Sequence, residues 1–266
     1  MQASRRTSGC TSRLRQQAGR CGVPEATRWL RGRVAIITGA SRGIGRAAAE
    51  AIARAGAHVV LAARTGTAID ALGEVIRREG GAATAVPTDI ADADQVAQLF
   101  QSAERIGPPT ALVCVGAILH NVPFAEMTPP TWSETLQINL TGTFLCCRLA
   151  FRAMRRAGGG RIINIASLSG VYGTEKFPGL SAYNVSKFGV IGLTEALAVE
   201  GRAHDITAIC LSPGAVDTEM LRRANPRLRP GLTPEHVAAL IVSLLDSPIA
   251  PASGANIPLF SNAGSE

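Results

Sequence analysis

Tyr183 and Lys187 stand four residues apart in the stretch "SAYNVSKFG", and their types could do acid–base chemistry. In a helix this spacing places both side chains on one face, one turn apart. A phenol with an ordinary pKa of about 10 is a poor acid–base group at neutral pH, and a neighbouring ammonium would lower that pKa. Only Lys176 and Lys187 are lysines among the 27 Lys and Arg residues, which fits a site that needs a compact, flexible cation. The spacing alone is common by chance, so its meaning depends on the surrounding elements.

A glycine-rich segment, "TGASRGIG" from Thr38 to Gly45, follows an apolar run and leads into a helical pattern. Its glycines would let the backbone approach a phosphate and let the helix pack on a sheet, while the helix N-terminus presents N–H groups to an anion. The spacing is G-x-x-x-G-x-G, not the commoner G-x-G-x-x-G. We therefore predict a dinucleotide-binding loop. Its predicted cofactor-binding residues are Gly39, Ser41, Arg42, Gly43, Ile44 and Gly45.

The end of the second strand indicates which dinucleotide is bound. An NAD site usually carries a carboxylate there for the ribose 2′-hydroxyl, but this strand ends with Ala62 and Ala63, followed by Arg64. Together with Arg42, Arg64 offers two guanidinium groups that suit a 2′-phosphate. The sequence therefore predicts NADP(H) in preference to NAD(H), with Asp89 and Ile90 at the end of the third strand beside the adenine ring.

Short β-branched runs alternate with Ala- and Leu-rich helical stretches from residue 33 onwards. This alternation predicts right-handed βαβ units and a parallel sheet with helices on both faces. The predicted strands are 33–39, 58–64, 83–89, 111–117, 160–167, 206–214 and 254–260. The predicted helices are 43–55, 66–79, 92–105, 130–157, 181–203 and 233–246. We therefore expect an α/β fold with a single doubly wound domain over residues 32–261.

The motifs occur in the order and spacing of the classical short-chain dehydrogenase/reductase family. They are "TGASRGIG", Asn139 in "QINLTGTF", Ser167 at the end of "RIINIAS", Tyr183 and Lys187 in "YNVSK", and "SPGAVDT". The chain resembles this family over residues 32–261, and in particular its members of the 3-oxoacyl-[acyl-carrier-protein] reductase type. The resemblance implies a Rossmann-type fold with a seven-stranded parallel sheet and a Ser–Tyr–Lys active site completed by Asn139.

The resemblance also implies a role for each of these residues. Tyr183 would be the general acid or base, and Ser167 would hold the substrate oxygen at the phenol. Lys187 would lower the pKa of Tyr183 and bind the nicotinamide ribose, and Asn139 would hold a water molecule in a proton relay. The family segments that border the cofactor correspond here to Gly116, Pro213, Gly214, Val216 and Thr218.

One segment departs from the family pattern. After the fourth strand the family usually reads Asn-Asn-Ala-Gly, and this chain reads Cys114, Val115, Gly116 and Ala117. Cysteine and valine side chains cannot make the hydrogen bonds of asparagine, which puts local stability or cofactor affinity in doubt.

The net charge of +7 belongs to the N-terminus, because residues 1–33 hold eight arginines and one acid, and the remainder holds 19 basic and 19 acidic residues. Residues 1–31 could be an organellar transit peptide, a disordered extension or an over-long start, and residues 262–266 are a short tail. The six cysteines show no metal-ligand spacing and no apolar run is long enough to span a bilayer. We expect a soluble, cytoplasmic protein with no metal, membrane or nucleic-acid partner, and organellar import is the alternative.

The leading functional hypothesis is an NADPH-dependent ketone reductase, with 3-oxoacyl thioesters among the candidate substrates. The alternatives are an alcohol, sugar or steroid-type dehydrogenase and a non-catalytic NADP(H)-sensing protein. Two basic groups could receive an acidic carrier or coenzyme A phosphates, or could be ordinary surface charge. They are Arg222, Arg223, Arg227 and Arg229, and Arg148, Arg152, Arg155, Arg156 and Arg161. The family resemblance suggests a homodimer or homotetramer through the helices 130–157 and 181–203.

Overall fold

A seven-stranded parallel sheet forms the centre of the molecule in the computed structural model, which describes residues 30–246 and 250–261. Its strands are β1 (Val34–Thr38), β2 (His58–Ala63), β3 (Ala82–Pro87), β4 (Pro109–Cys114), β5 (Gly160–Ile165), β6 (Ile206–Pro213) and β7 (Asn256–Leu259). Every neighbouring pair is parallel, and the spatial order is β3-β2-β1-β4-β5-β6-β7. The predicted Rossmann-type fold is confirmed, and each predicted strand lies within a few residues of the observed one.

Helices connect the strands and cover both faces of the sheet. They are α1 (Gly43–Arg54), α2 (Gly66–Arg78), α3 (Ala93–Glu104), α4 (Pro129–Leu136), α5 (Gly142–Ala157), α6 (Ser181–Gly201), α7 (Glu219–Ala224) and α8 (Pro234–Asp246). The predicted helix 130–157 is divided by a π-helical turn, Gln137–Thr141, that separates α4 from α5. Helix α7 was not predicted; Thr218 caps its N-terminus by accepting a hydrogen bond from the backbone N–H of Leu221.

The core consists of two apolar layers, one on each face of the sheet. One layer packs residues of α1, α2 and α8, such as Ile52, Ile69 and Ile241, against the strands. The other packs residues of α3 and α5, such as Leu99 and Met154, against the opposite face. All five residues of β1 are buried, as expected for a central parallel strand that is covered on both sides.

The position of the functional site follows from the strand order. The order reverses between β1 and β4, and ligands of doubly wound sheets bind at the carboxyl ends of the strands beside such a reversal. The loops that follow β1, β4, β5 and β6 carry most of the motifs identified in the sequence.

The domain extends at least to Leu30, which is fully buried in the core two residues before the predicted start. Residues 1–29 and 262–266, which contain most of the predicted N-terminal extension and the predicted C-terminal tail, lie outside the described residues. Within the described chain, none of the helices combines the length and apolar character that a membrane crossing requires.

Candidate active site

A cavity of about 1350 Å³ opens at the carboxyl ends of the strands. Most of the predicted site residues line it: Gly39, Ser41, Arg42, Gly43, Ile44, Arg64, Asp89, Ile90, Gly116, Ser167, Tyr183, Lys187, Pro213, Gly214, Val216 and Thr218. Gly45 and Asn139 are not among the lining residues. The structure thus brings together residues that are as far apart in the sequence as Gly39 and Thr218.

The loop between β1 and α1 is held by close backbone contacts that only glycine permits. Gly39 has a φ of +66°, and a Cβ atom there would lie 2.7 Å from the Gly116 nitrogen. A Cβ atom on Gly45 would lie 2.2 Å from the Gly39 carbonyl oxygen. Gly45 therefore allows α1 to pack against the loop and does not border the cavity. Helix α1 has no side-chain N-cap, so its first N–H groups remain available to a phosphate.

Two arginines lie where the 2′-phosphate of NADP(H) is predicted. Ala62 and Ala63 are buried at the end of β2, and Arg64 is exposed at the edge of the cavity. The Arg42 Nη1 atom lies 2.6 Å from Glu219 Oε2, at the start of α7, and the other carboxylate oxygen of Glu219 pairs with Arg223. Glu219 was not identified from the sequence, because it lies 177 residues from Arg42. The donor set fits a phosphate, with Glu219 as a competitor for one of the two arginines.

The predicted adenine pocket is formed by the segment after β3. One carboxylate oxygen of Asp89 accepts a hydrogen bond from the Ala91 backbone N–H at 3.0 Å, and the Asp89 N–H donates to Gln95. The Ile90 side chain packs against Gly116, where a Cβ atom would lie 3.0 Å from the Ile90 Cδ1 atom. Ile90 and Gly116 thus form one wall of the cavity, beside the half-buried carboxylate.

Tyr183 lies in the first turn of α6 and is 9% exposed, beside the Ser167 hydroxyl at the end of β5. Burial raises the pKa of Tyr183 to about 12, and the hydrogen bond with Ser167 opposes this rise. The Ser167 oxygen also accepts from the Ser169 N–H at 3.1 Å, which fixes the orientation of the Ser167 side chain. Burial therefore keeps the phenol protonated at neutral pH. The expected lowering of this pKa by Lys187 is not found in the protein alone.

Lys187 is 3% exposed, one turn along α6 from Tyr183. Its Nζ atom donates a hydrogen bond to the Ile165 carbonyl at 2.8 Å and lies 5.6 Å from the centroid of the Tyr183 ring. Burial lowers the pKa of Lys187 to about 8. The ammonium is thus still protonated at neutral pH, with one of its protons engaged by Ile165.

Asn139 does not line the cavity but links the π-helical turn to α6 and to the segment after β4. Its amide oxygen accepts from the Ile118 N–H at 2.8 Å, and its amide nitrogen donates to the Ile118 carbonyl and to Ser186 Oγ. Its backbone carbonyl, in the π-helical turn, accepts from Thr143 Oγ1 at 2.7 Å. Both side-chain N–H donors are therefore engaged. Asn139 positions the segment after β4 against α6, and the predicted water relay would have to use its carbonyl groups.

The departure at residues 114–117 is accommodated without asparagine. Thr38 Oγ1 accepts hydrogen bonds from the backbone N–H groups of Val115 and Gly116, at 3.1 and 3.2 Å. Cys114 is buried in the core layer beside the thiols of Cys146 and Cys147. Hydrogen bonds with these two thiols, together with its own burial, raise the pKa of Cys114. Backbone donors thus attach the end of β4 to β1, and the thiols fill the space behind it.

The chain matches one family model and is similar in sequence to dehydrogenases and reductases. Residues 33–229 match the family model described as short chain dehydrogenase. The chain is 37% identical over 231 residues to a 3-oxoacyl-[acyl-carrier-protein] reductase from Synechocystis sp., and the match covers 83% of this chain and 92% of the relative. It is 33% identical over 240 residues to a D-threitol dehydrogenase from Mycolicibacterium smegmatis, with coverages of 86% and 91%. These relatives act on different kinds of substrate.

Solved structures match the fold equally well. A short-chain type dehydrogenase/reductase from Mycobacterium marinum has a TM-score of 0.82 and 32% identity, and the match covers 89% of this chain and 97% of that one. A protein from Beutenbergia cavernae, provisionally named an NAD(P)-dependent gluconate 5-dehydrogenase and solved with NADP at low occupancy, has a TM-score of 0.81 and 31% identity, with coverages of 88% and 97%. The chain belongs to the short-chain dehydrogenase/reductase family.

Proposed function

We propose that the protein is an NADPH-dependent ketone reductase in which Tyr183 is the general acid. The observation that carries this proposal is the geometry at Tyr183: its buried phenol lies beside the Ser167 hydroxyl, and the Lys187 Nζ atom lies 5.6 Å from the centroid of its ring. Ketone reduction requires a proton donor at the carbonyl oxygen. The phenol holds its proton at neutral pH, and the nearby ammonium favours the phenolate that forms as this proton leaves. The 3-oxoacyl thioesters are candidate substrates, because a relative with 37% identity is named for that activity.

The protein's own groups would bind and orient the carbonyl. When bound, the nicotinamide supplies the hydride that reaches the carbonyl carbon. The Ser167 hydroxyl donates a hydrogen bond to the carbonyl oxygen, and the Tyr183 hydroxyl transfers its proton to that oxygen as negative charge develops there. The Lys187 ammonium, one turn away, stabilises the resulting phenolate until it is reprotonated. The half-buried loop Leu168–Gly170 keeps Ser167 in place.

NADP(H) is the proposed cofactor in preference to NAD(H). The two guanidinium groups of Arg42 and Arg64 border the cavity where β2 ends, and buried alanines occupy the positions expected for a carboxylate. The variant Arg64→Asp tests this assignment, because it removes a donor for the 2′-phosphate and adds an acceptor for a 2′-hydroxyl. NADPH binding should weaken relative to NADH; an unchanged ratio of the two dissociation constants would contradict the assignment.

The reductase is tested by NADPH oxidation with a panel of ketones that includes acetoacetyl thioesters. Tyr183→Phe keeps the ring and removes the proton donor, so turnover should fall by at least about a hundredfold, and the dissociation constant for NADPH should stay within about twofold. Near-full activity in this variant would refute the acid role. Tight NADPH binding without turnover of any ketone or alcohol would instead favour the NADP(H)-sensing alternative.

We further propose a homodimer or homotetramer through α5 and α6. Most apolar residues of these helices pack inside the protomer, but Phe144, Val185, Phe188 and Val199 are large hydrophobic residues with exposed side chains. Val199, at 72% exposure, gains most from being covered by a second copy. A cytoplasmic location is also proposed; the cysteines among the described residues are free and buried, which fits a reducing compartment.

A further inference from the structure

Beyond Tyr183 and Ser167, three segments enclose the inner end of the cavity. They are the residues after β4, the loop between β5 and α6, and the region of α7. Asn121 joins them: its amide donates to the Ala224 carbonyl at 3.1 Å, and the neighbouring Val122 N–H donates to the Gly179 carbonyl at 2.9 Å. The cavity wall that faces the substrate is thus one connected surface, which we call the substrate wall.

Apolar side chains make up most of the substrate wall. They come from all three segments and include Leu119, Leu168, Val171, Phe177, Met220 and Leu221. Because they line the same cavity as the Tyr183 phenol, a group attached to the carbonyl carbon of a substrate would be taken out of water against hydrocarbon. Such burial favours apolar groups in proportion to their area.

Several polar side chains of the substrate wall form hydrogen bonds within the wall. Thr174 Oγ1 donates to the backbone carbonyls of the 168–171 turn and accepts from Lys176 Nζ at 2.6 Å. The Asn121 amide donates to the Ala224 carbonyl, and the Asn225 amide oxygen accepts from the Arg227 N–H. The charged wall residues Glu175 and Arg227 are exposed to solvent. Apart from the hydroxyl groups of Ser169 and Tyr172, which also line the cavity, the described side chains of the wall thus offer few free partners to the hydroxyl groups of a polyol.

We propose that the substrate wall is a subsite for an extended apolar group attached to the reacting carbonyl, and that it selects against sugars and polyols. The substrate class is therefore a ketone with an alkyl or similar hydrocarbon arm. This inference rests on the proposed ketone reduction and specifies its substrate. A D-threitol dehydrogenase and a 3-oxoacyl reductase are both among the relatives, and the wall favours the acyl type of substrate over the polyol type.

The test compares straight-chain methyl ketones from butanone to octanone with erythrulose, which has the carbon number of butanone and three hydroxyl groups. Each methylene buried on the wall should raise kcat/KM about fourfold until the subsite is filled. Each hydroxyl buried without a partner should lower it by roughly fivefold or more. A flat chain-length series, or erythrulose preferred over butanone, would overturn the proposal while leaving the reductase intact.

Two substitutions test whether the rise of kcat/KM with chain length depends on the substrate wall. Leu221→Asn and Met220→Gln each introduce an amide at nearly constant size, and either should flatten the chain-length series by reducing the gain per methylene below twofold. Arg222→Gln is the matched control on the same helix, because Arg222 pairs with Asp217 and does not line the cavity. Equal flattening in the control, or a full gain per methylene in both wall variants, would contradict the assignment.

A binding assay separates the subsite from the reaction. Octan-2-ol and butan-2-ol are titrated into the NADPH-bound protein, with erythritol as the polar comparison, and NADPH fluorescence reports binding. Octan-2-ol should bind at least tenfold more tightly than butan-2-ol, whether or not any ketone is reduced. If the alcohols bind in this order and no ketone is turned over, the subsite stands and the proposed reduction fails. Equal binding of all three would overturn the subsite.

Discussion

The ion pair between Arg42 and Glu219 leads to the most specific prediction about the cofactor. The two side chains are 60% and 39% exposed, and their charged atoms lie 2.6 Å apart. If Arg42 binds a 2′-phosphate, it must leave Glu219 or share its charge with that carboxylate. Exposed pairs of this kind contribute about 0.2–1 kcal/mol. Glu219→Gln should therefore tighten NADPH binding by a factor of about 1.4 to 5 and leave NADH binding unchanged.

The assay is a fluorescence titration with NADPH and NADH at low and at physiological salt, because screening should shrink the gain as the Debye length falls to about 8 Å. Glu74→Gln is the matched control: Glu74 pairs with Arg77 at 2.8 Å on the exposed side of α2, away from the cavity. In an Arg42→Gln background the Glu219 substitution should have no further effect, since the two residues act through one contact.

Three results would refute this reasoning. The first is an unchanged or weaker affinity of Glu219→Gln for NADPH. The second is an equal gain for both cofactors, which would place the action of Glu219 on the part that NADPH and NADH share. The third is a full gain in the Arg42→Gln background, which would mean that Glu219 repels the phosphate without involving Arg42.

Further predictions concern stability and assembly. The pKa of Lys187 is lowered from 10.5 to about 8 in the folded protein. The cost of burying its charge is therefore present in full below pH 8 and is lost as the pH rises towards 10.5. Between pH 7 and 10 the free energy of unfolding of the wild type, measured by urea denaturation, should rise by about 2–3 kcal/mol relative to that of Lys187→Met. Gly45→Ala brings a Cβ atom to 2.2 Å from a backbone oxygen and should cost at least about 2 kcal/mol of stability, whereas Gly73→Ala meets only the flexible end of Arg77 and should cost less than about 1 kcal/mol by the same measurement. Val199→Glu should reduce the oligomer mass measured by light scattering, and Ile106→Glu, at an exposed site outside α5 and α6, should not; identical masses for both would argue against the proposed interface.

Local patterns predicted the sheet because most of its strands are short apolar runs bounded by helical stretches, and the central strands β1 and β4 are buried along their whole length. The same patterns missed α7, a six-residue helix whose start depends on a single capping hydroxyl, Thr218. They also missed the π-helical turn between α4 and α5, because it depends on contacts of Asn139 with Ile118 and Ser186 that are distant in sequence. Long-range contacts, not local propensity, determine these features.

The site could be predicted as a set of residues but not as an electrostatic environment. The spacing of Tyr183 and Lys187 correctly places them one turn apart on α6. The predicted effect of the ammonium on the phenol is nevertheless outweighed, because burial acts on both groups and moves their pKa values apart, that of Tyr183 from 10.0 to about 12 and that of Lys187 from 10.5 to about 8. Burial is a property of the folded core, so no reading of this short stretch could supply it.

The segment at residues 114–117 shows why a lost side chain need not mean a lost contact. Its departure from the family pattern is the one sequence feature that favours a non-catalytic sensor over an enzyme. The contacts that attach this segment to β1, however, run from the N–H groups of Val115 and Gly116 to the Thr38 hydroxyl, and any non-proline residue supplies such N–H groups. The element on which the connection depends is therefore Thr38, the last residue of β1. Thr38→Val should loosen the segment and weaken cofactor binding, and an unchanged dissociation constant for NADPH would show that the connection is redundant.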